Sequence, residues 1–332
     1  MDRIDRIFWL DATRVTAIFG VVLLHAAAPH LSQFGTSPVE DWHVANIINA
    51  ATRPSVPLFF MASGALLLQR TIGLHELKPR LTRLIVPLVA WSIIYLTARA
   101  MTNSDYSFLG GLLRAPVQPV MYHLWFLYAL IGLYLCLPLV GPAIRAASTD
   151  QIYYGLGLWV LASAIVPAFE RVVDAQSSIE LTTMAGYMGY MVLGYVLAQA
   201  PRPNRRHALA ALALAVTGYA ITALGTAYFT VQRGQFFSYF YLYLSPNVML
   251  FSAGLFVVMR AFFEGRQSPF VRMLSELSFG IYLCHVAVLM VGYLVFDIRG
   301  WWIFPFAMLV FVISAVGTHV LRSIGLAKFL AP

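Results

Sequence analysis

Charge is scarce in this sequence. Its 332 residues include 22 Lys and Arg and 14 Asp and Glu, so 11% of the chain is charged, where a globular domain carries about 25%. A soluble fold needs polar cover for its outer face, and this chain cannot supply it. Cysteine is nearly absent as well. Cys136 and Cys284 both lie in apolar runs, which excludes a disulfide framework or a thiolate metal site. The 14 carboxylates sit mostly in connecting segments, which argues against a two-carboxylate glycosidase. The sequence has no G-x-S-x-G elbow, P-loop or G-x-G-x-x-G turn. No two histidines have the spacing of a helical zinc site, so no metal is expected.

What is abundant is apolar side chain, at 60% of the residues. A bilayer span needs roughly 20 mostly apolar residues. The apolar runs predict ten helices, at 10–29, 45–69, 82–101, 121–141, 152–169, 184–200, 207–230, 238–262, 277–296 and 301–321. The connections are short, so 1–332 reads as one all-α polytopic membrane domain, and any chemistry belongs to the bundle. The net charge of +8 matters through its distribution. With the N-terminus inside, inner segments hold fifteen basic residues, including Arg3, Arg6, Lys78, Arg80, Arg83 and Arg145. Outer segments hold five: Arg99, Arg114, Arg171, Arg233 and Arg299. Both termini are therefore expected in the cytoplasm, and the basic residues point to topology and the lipid bilayer rather than to nucleic acid. A cleavable signal peptide over 1–28 is the rival reading of the N-terminal region. Asp11 and Arg14 interrupt what would be its apolar stretch.

Ionisable side chains inside a bilayer are costly and mark function by default. The first helix carries Asp11, Arg14 and His25. Eleven residues return to within about 20° around a helix, so Arg14 and His25 share a face, roughly 16 Å apart along the axis. Asp11, three residues before Arg14, can pair with it. The second run begins Arg53-Pro54-Ser55-Val56-Pro57 and continues to Ser63-Gly64. Its prolines free backbone carbonyls that must find partners or face a wet cavity, and Ser63-Gly64 permits close helix approach. A basic stretch holding Arg80 and Arg83 follows. It suits either lipid headgroups or a phosphate-bearing ligand. Then come His123, Trp125 and Tyr128 at the start of the fourth run, and Tyr282 and His285 three apart in the ninth. Each group is also open to a packing or interfacial reading, while aromatic faces of this kind are what a sugar ring stacks on.

These elements occur in one order: R-x10-H (Arg14, His25), Pro-Leu-Phe-Phe-Met-x-Ser-Gly, R-x-x-R (Arg80, Arg83), Tyr-His-Leu-Trp-Phe, and Ser-Phe-Gly-Ile-Tyr-x-x-His. The set resembles the acyltransferase 3 family of membrane acyltransferases nearly end to end. Residues 46–63 look closest to the branch that O-acetylates enterobacterial common antigen. The resemblance implies a multi-pass enzyme of the bacterial inner (cytoplasmic) membrane. It also implies acetyl-CoA as cytoplasmic donor and a cell-surface or lipid-linked saccharide as acceptor. His25 would act as base or transient acyl carrier, with Arg14 and Asp11 beside it in the catalytic set. Arg14, Arg80 and Arg83, with Arg53 and Ser63, would hold the CoA. His123, Trp125, Tyr128, Tyr282 and His285 would meet the acceptor. The chain holds no SGNH-type esterase domain of the sort some members append, so the membrane domain or a separate protein is expected to complete transfer. A transporter, or an acetyl-translocating subunit of a polysaccharide system, is the alternative, since broken helices with an intramembrane His and Arg suit that class too.

Overall fold

A computed structural model describes residues 7–103, 105–174, 176–177 and 182–331. Arg3 and Arg6, counted above among the inner basic residues, lie outside the described residues. The described chain is all helical. Its α-helices are α1 (Phe8–Leu31), α2 (Val39–Ala51), α3 (Ser55–Leu67), α4 (Leu74–Thr102), α5 (Phe108–Arg114), α6 (Trp125–Ala146) and α7 (Thr149–Val160). They continue as α8 (Val166–Val173), α9 (Met188–Gln199), α10 (Arg205–Arg233), α11 (Pro246–Phe263), α12 (Pro269–Val295), α13 (Ile303–Ser323) and α14 (Ala327–Leu330).

Among the described residues, eight helical segments are long and apolar enough to cross a membrane. They begin at Phe8, Leu74, Tyr122, Thr149, Arg205, Tyr239, Pro269 and Gly300, and they match eight of the ten expected runs. The run expected at 45–69 is instead two 13-residue helices, α2 and α3. Pro54 and Pro57 explain the break. The residue before a proline is biased away from the helical region, and a proline, which has no N–H to donate, fits most readily in a helix's first turn. So α2 stops at Ala51, and α3 restarts at Ser55 with Pro57 in its first turn. The run expected at 184–200 is only 12 residues of helix, α9, because Gly186 enters it with a left-handed φ of 110°.

The helix with the intramembrane charges is the hub. In α1, 72% of the apolar window is buried, against 28–50% in the other seven. It packs on α2, α3, α11, α12 and α13. Two bonds gather three helix ends at the end of the bundle where α1 begins and α13 ends. Ser275 Oγ at the start of α12 donates to Asp11 Oδ1 at 2.7 Å, and Arg322 at the end of α13 donates to the Glu276 carbonyl at 2.6 Å.

The short helices α3 and α9 form a second unit. Their backbones meet where Gly64 faces the Met191 carbonyl and Gly194 faces the Met61 carbonyl. Short helices expose their last carbonyls inside the bundle, and these need donors. Arginines from neighbouring helices supply them. Arg145 of α6 donates to the carbonyls of Leu68 and Arg70 at 3.0 and 2.6 Å, just past the end of α3. Arg260 of α11 donates to those of Leu197 and Ala200 at 2.7 and 2.8 Å, at the end of α9.

Candidate active site

The polar residues of the bundle interior fall into two layers, set by position along α1. The first lies near the start of α1. Asp11 is buried, holds the Ser275 hydroxyl, and has Arg14 at 4.0 Å. Arg14 lies, with Arg80 and Arg83 of α4, within electrostatic reach of the Tyr134 hydroxyl of α6, and Ser63 of α3 sits beside that hydroxyl. Four of the five residues expected to hold the donor therefore lie within electrostatic or hydrogen-bonding reach of one phenol. Arg80 is half-buried and Arg83 exposed, so the cluster opens toward the end of the bundle where α1 begins.

The second layer surrounds His25, roughly 16 Å further along α1. Its half-buried ring stacks on His285 of α12, with centroids 5.3 Å apart and an interplanar angle of 30°. Tyr122 stands 5.0 Å away and His123 6.4 Å away. His123 sits in the one-turn 3-10 helix Tyr122–Leu124 that leads into α6. That turn is tied to α12 by the Tyr282 hydroxyl, which donates to the His123 carbonyl at 2.5 Å. Tyr95 of α4 braces the same region, donating to the Leu283 carbonyl at 2.9 Å while its ring meets His123 edge-on. Trp125 stacks on Tyr243 with centroids 5.6 Å apart. His25, His123, Trp125, Tyr243 and Tyr282 line one small cavity, whose apolar wall is Val21, Leu24, Val56, Phe59 and Phe126.

The protonation of one ring follows from its partners. His285 Nδ1 lies 2.7 Å from the Tyr282 carbonyl and 3.2 Å from the Ile281 carbonyl. Carbonyls only accept, so Nδ1 carries the hydrogen and Nε2 of the neutral ring keeps its lone pair. That Nε2 is buried without a protein partner, as are both ring nitrogens of His123. A buried polar atom left unpaired costs about 1–3 kcal/mol, so three of them around His25 favour a polar ligand between them. Among the described residues, no three His, Cys, Asp or Glu side chains gather as metal ligands.

Residues 7–320 match the family model described as Acyltransferase domain, of the acyltransferase 3 type. The chain belongs to the acyltransferase 3 family. No curated protein and no solved structure matches it. Membership makes the two layers the polar interior of a membrane acyltransferase, and it sorts the residues expected from sequence by where they stand.

Two of those residues stand elsewhere in this acyltransferase 3 fold. Arg53 does not join Arg14, Arg80 and Arg83. It occupies the break between α2 and α3, donates to Asn49 Oδ1 and to the Tyr241 carbonyl at 3.4 Å, and lies 4.0 Å over the Tyr241 ring. Its charge acts on His25, so it belongs to the second layer. The proline break places it there, midway along the path through the bundle. Tyr128 turns its hydroxyl to the Ala115 carbonyl, beyond α5, and does not line the His25 cavity. Asp11 and Arg14 stand a full layer from His25, so Asp11 positions Arg14 and anchors α12 rather than touching atoms at the histidine.

Sequence reasoning missed Tyr134 and Tyr243. A signal for Tyr134 was present, since it follows His123 by eleven residues, the spacing that separates Arg14 from His25. The first helix carries a cation first and a histidine second, and the segment 122–146 runs from histidine to phenol. Tyr243 lies just before α11 and carries no periodic signal.

Proposed function

We propose that the protein is an O-acetyltransferase that takes acetyl-CoA at the first layer and a saccharide hydroxyl at the second. The observation that carries this reading is the pair of layers along one face of α1: arginines at one end, unpaired imidazole nitrogens at the other. Arginine forks suit phosphate, and the basic bias supports a cytoplasmic first layer, where CoA is found. An extended pantetheine arm, running between α1, α3 and α6 past Tyr134 and Ser63, carries the thioester toward His25. Trp125 and Tyr243 offer a stacked aromatic face to a sugar ring. The likeness of residues 46–63 to the branch acting on enterobacterial common antigen supports a glycan acceptor at the bacterial inner membrane.

The chemistry closes on one proton. His25 takes the hydrogen of the acceptor hydroxyl as its oxygen bonds the thioester carbonyl carbon. The carbon–sulfur bond breaks, and His25 returns the proton to the departing CoA sulfur. The unpaired nitrogens of His123 and His285 hold the acceptor hydroxyls while Arg53 contributes positive charge to the same layer.

Sidedness tests this. In sealed proteoliposomes of one orientation, acetyl-CoA on the face bearing the termini acetylates an acceptor glycan supplied only on the other face, and no intact acetyl-CoA crosses. Free acetyl-CoA on the far side in the absence of acceptor would instead favour a transporter. A second prediction concerns the donor. Arg80→Ala and Arg83→Ala each weaken acetyl-CoA binding by about three- to tenfold, as expected for partly exposed charge-assisted contacts, with little change in kcat. Calorimetry showing unchanged affinity in both variants would remove Arg80 and Arg83 from the donor site.

A further inference from the structure

A sizeable cavity lies outside both layers. It measures about 520 Å³ and sits between the loop joining α1 to α2 and the loop joining α12 to α13. Ligand pockets span about 300–1,000 Å³, so its size is that of a small-molecule site. His30, Gln33, Asp41, Tyr293, Asp297 and Arg299 are among its lining residues. His30 is 9% exposed, and its Nε2 is buried with no partner. The two rims are joined by a close approach: Asp41 Oδ1 would lie 2.8 Å from a Cβ at residue 300, so the site requires Gly300, whose φ is left-handed at 53°. His30 follows His25 on α1 by five residues, ~7.5 Å further from the start of α1. Tyr293 bridges the cavity to the histidine layer by donating to the Ala26 carbonyl.

We infer that this cavity is a second saccharide subsite, which grips the acceptor glycan at a sugar unit away from the reacting hydroxyl. The inference rests on the acyl-transfer reading above and adds to it where the acceptor is held. The lining decides the ligand class. An anion is disfavoured, because two carboxylates face the cavity and Arg299 is already paired with Asp297 at 2.9 Å. A metal ion is disfavoured, because His30, Asp41 and Asp297 do not gather as ligands. A lipid tail is disfavoured by the polar rim. A saccharide uses every group present. Its hydroxyls donate to Asp41, Asp297 and His30 Nε2 and accept from the Gln33 amide, and its ring face can lie on Tyr293.

The test uses the full chain in nanodiscs, with cellobiose, lactose and N,N′-diacetylchitobiose as probes in saturation-transfer NMR. At least one disaccharide receives saturation from the wild type. Asp41→Asn and the exposed-site variants Gln33→Ala and Asp297→Ala each weaken that binding about tenfold, the loss expected for one hydrogen bond to a charged or buried partner. Acetyl-CoA affinity, measured by calorimetry on the same samples, stays within about twofold of wild type, since the donor layer is remote and undisturbed. No saturation in the wild type, or equal saturation in all variants, overturns the subsite. Loss of acetyl-CoA binding in the wild type would overturn the acetyl-transfer reading separately, whatever the disaccharides do.

Discussion

His25→Ala reduces acetyl transfer by about 10²–10⁴-fold, the usual contribution of a general base, while expression and monodispersity in detergent stay normal. The separation of the two outcomes comes from the structure. His25 is half-buried and makes ring contacts with Tyr122, His123 and His285, so truncation removes a reactive group without stranding a bonded partner. Its neighbours keep their own anchors. His285 is held by two carbonyls of its own helix, and His123 is held through its carbonyl by Tyr282. Acetyl-CoA should still bind, because the arginine layer lies roughly 16 Å away along α1. Rates of transfer from labelled acetyl-CoA, with binding measured on the same preparation, check both halves. A variant that transfers near the wild-type rate would remove His25 from the mechanism.

Gly64→Ala has the largest expected effect on folding. An added Cβ would lie 1.9 Å from the Met191 carbonyl oxygen. The obstacle is backbone, not the tip of a flexible side chain, so α3 and α9 must move apart. Overpacking of this sort costs about 1–3 kcal/mol or more. Here it also pulls α3 and α9 from the arginines that satisfy their last carbonyls. The expected result is a sharp fall in folded yield and a lower melting temperature of what remains. Gly132→Ala on α6 is the control. A Cβ there meets nothing within 4 Å, and exchanging glycine for alanine in a helix is neutral or stabilising by up to ~1 kcal/mol. Equal melting temperatures for the Gly64 and Gly132 variants would show that the α3–α9 contact yields more easily than its geometry implies.

The parts of this molecule legible in the sequence are those governed by local pattern. Eight spans follow from hydropathy, because the bilayer imposes a length on each. The shared face of Arg14 and His25 follows from helical periodicity alone. Short helices escaped that reading for a physical reason. A hydropathy window averages across Thr52-Arg53-Pro54, so 45–69 reads as one span although its prolines mark the break. Arg53 was misplaced with it. The family resemblance grouped Arg53 with Arg14, Arg80 and Arg83, but the break sets it elsewhere, and its bonds go to Asn49 and Tyr241. Tyr128 shows the limit of reading from a cluster. It lies three residues after Trp125, yet α5 offers it a carbonyl at Ala115, and only tertiary structure reveals that partner. The cavity between the two loops has no sequence signature at all, because its lining comes from segments some 250 residues apart.

The glycine contact between α3 and α9 also constrains how the protein is made. At 1.5 Å per residue, α3 is about 20 Å long and α9 about 18 Å, short of a hydrocarbon core of about 30 Å. Neither is well suited to stand alone in lipid. Gly64 and Gly194 are 130 residues apart in the chain, and at about 5–20 residues per second of synthesis α3 waits roughly 6–26 s for its partner. During that interval its glycine face and final carbonyls need other cover, from the insertion machinery or from α1, which is already in place. Assembly of the bundle thus follows the order of synthesis, with the wall at Ser63 completed only when α9 arrives.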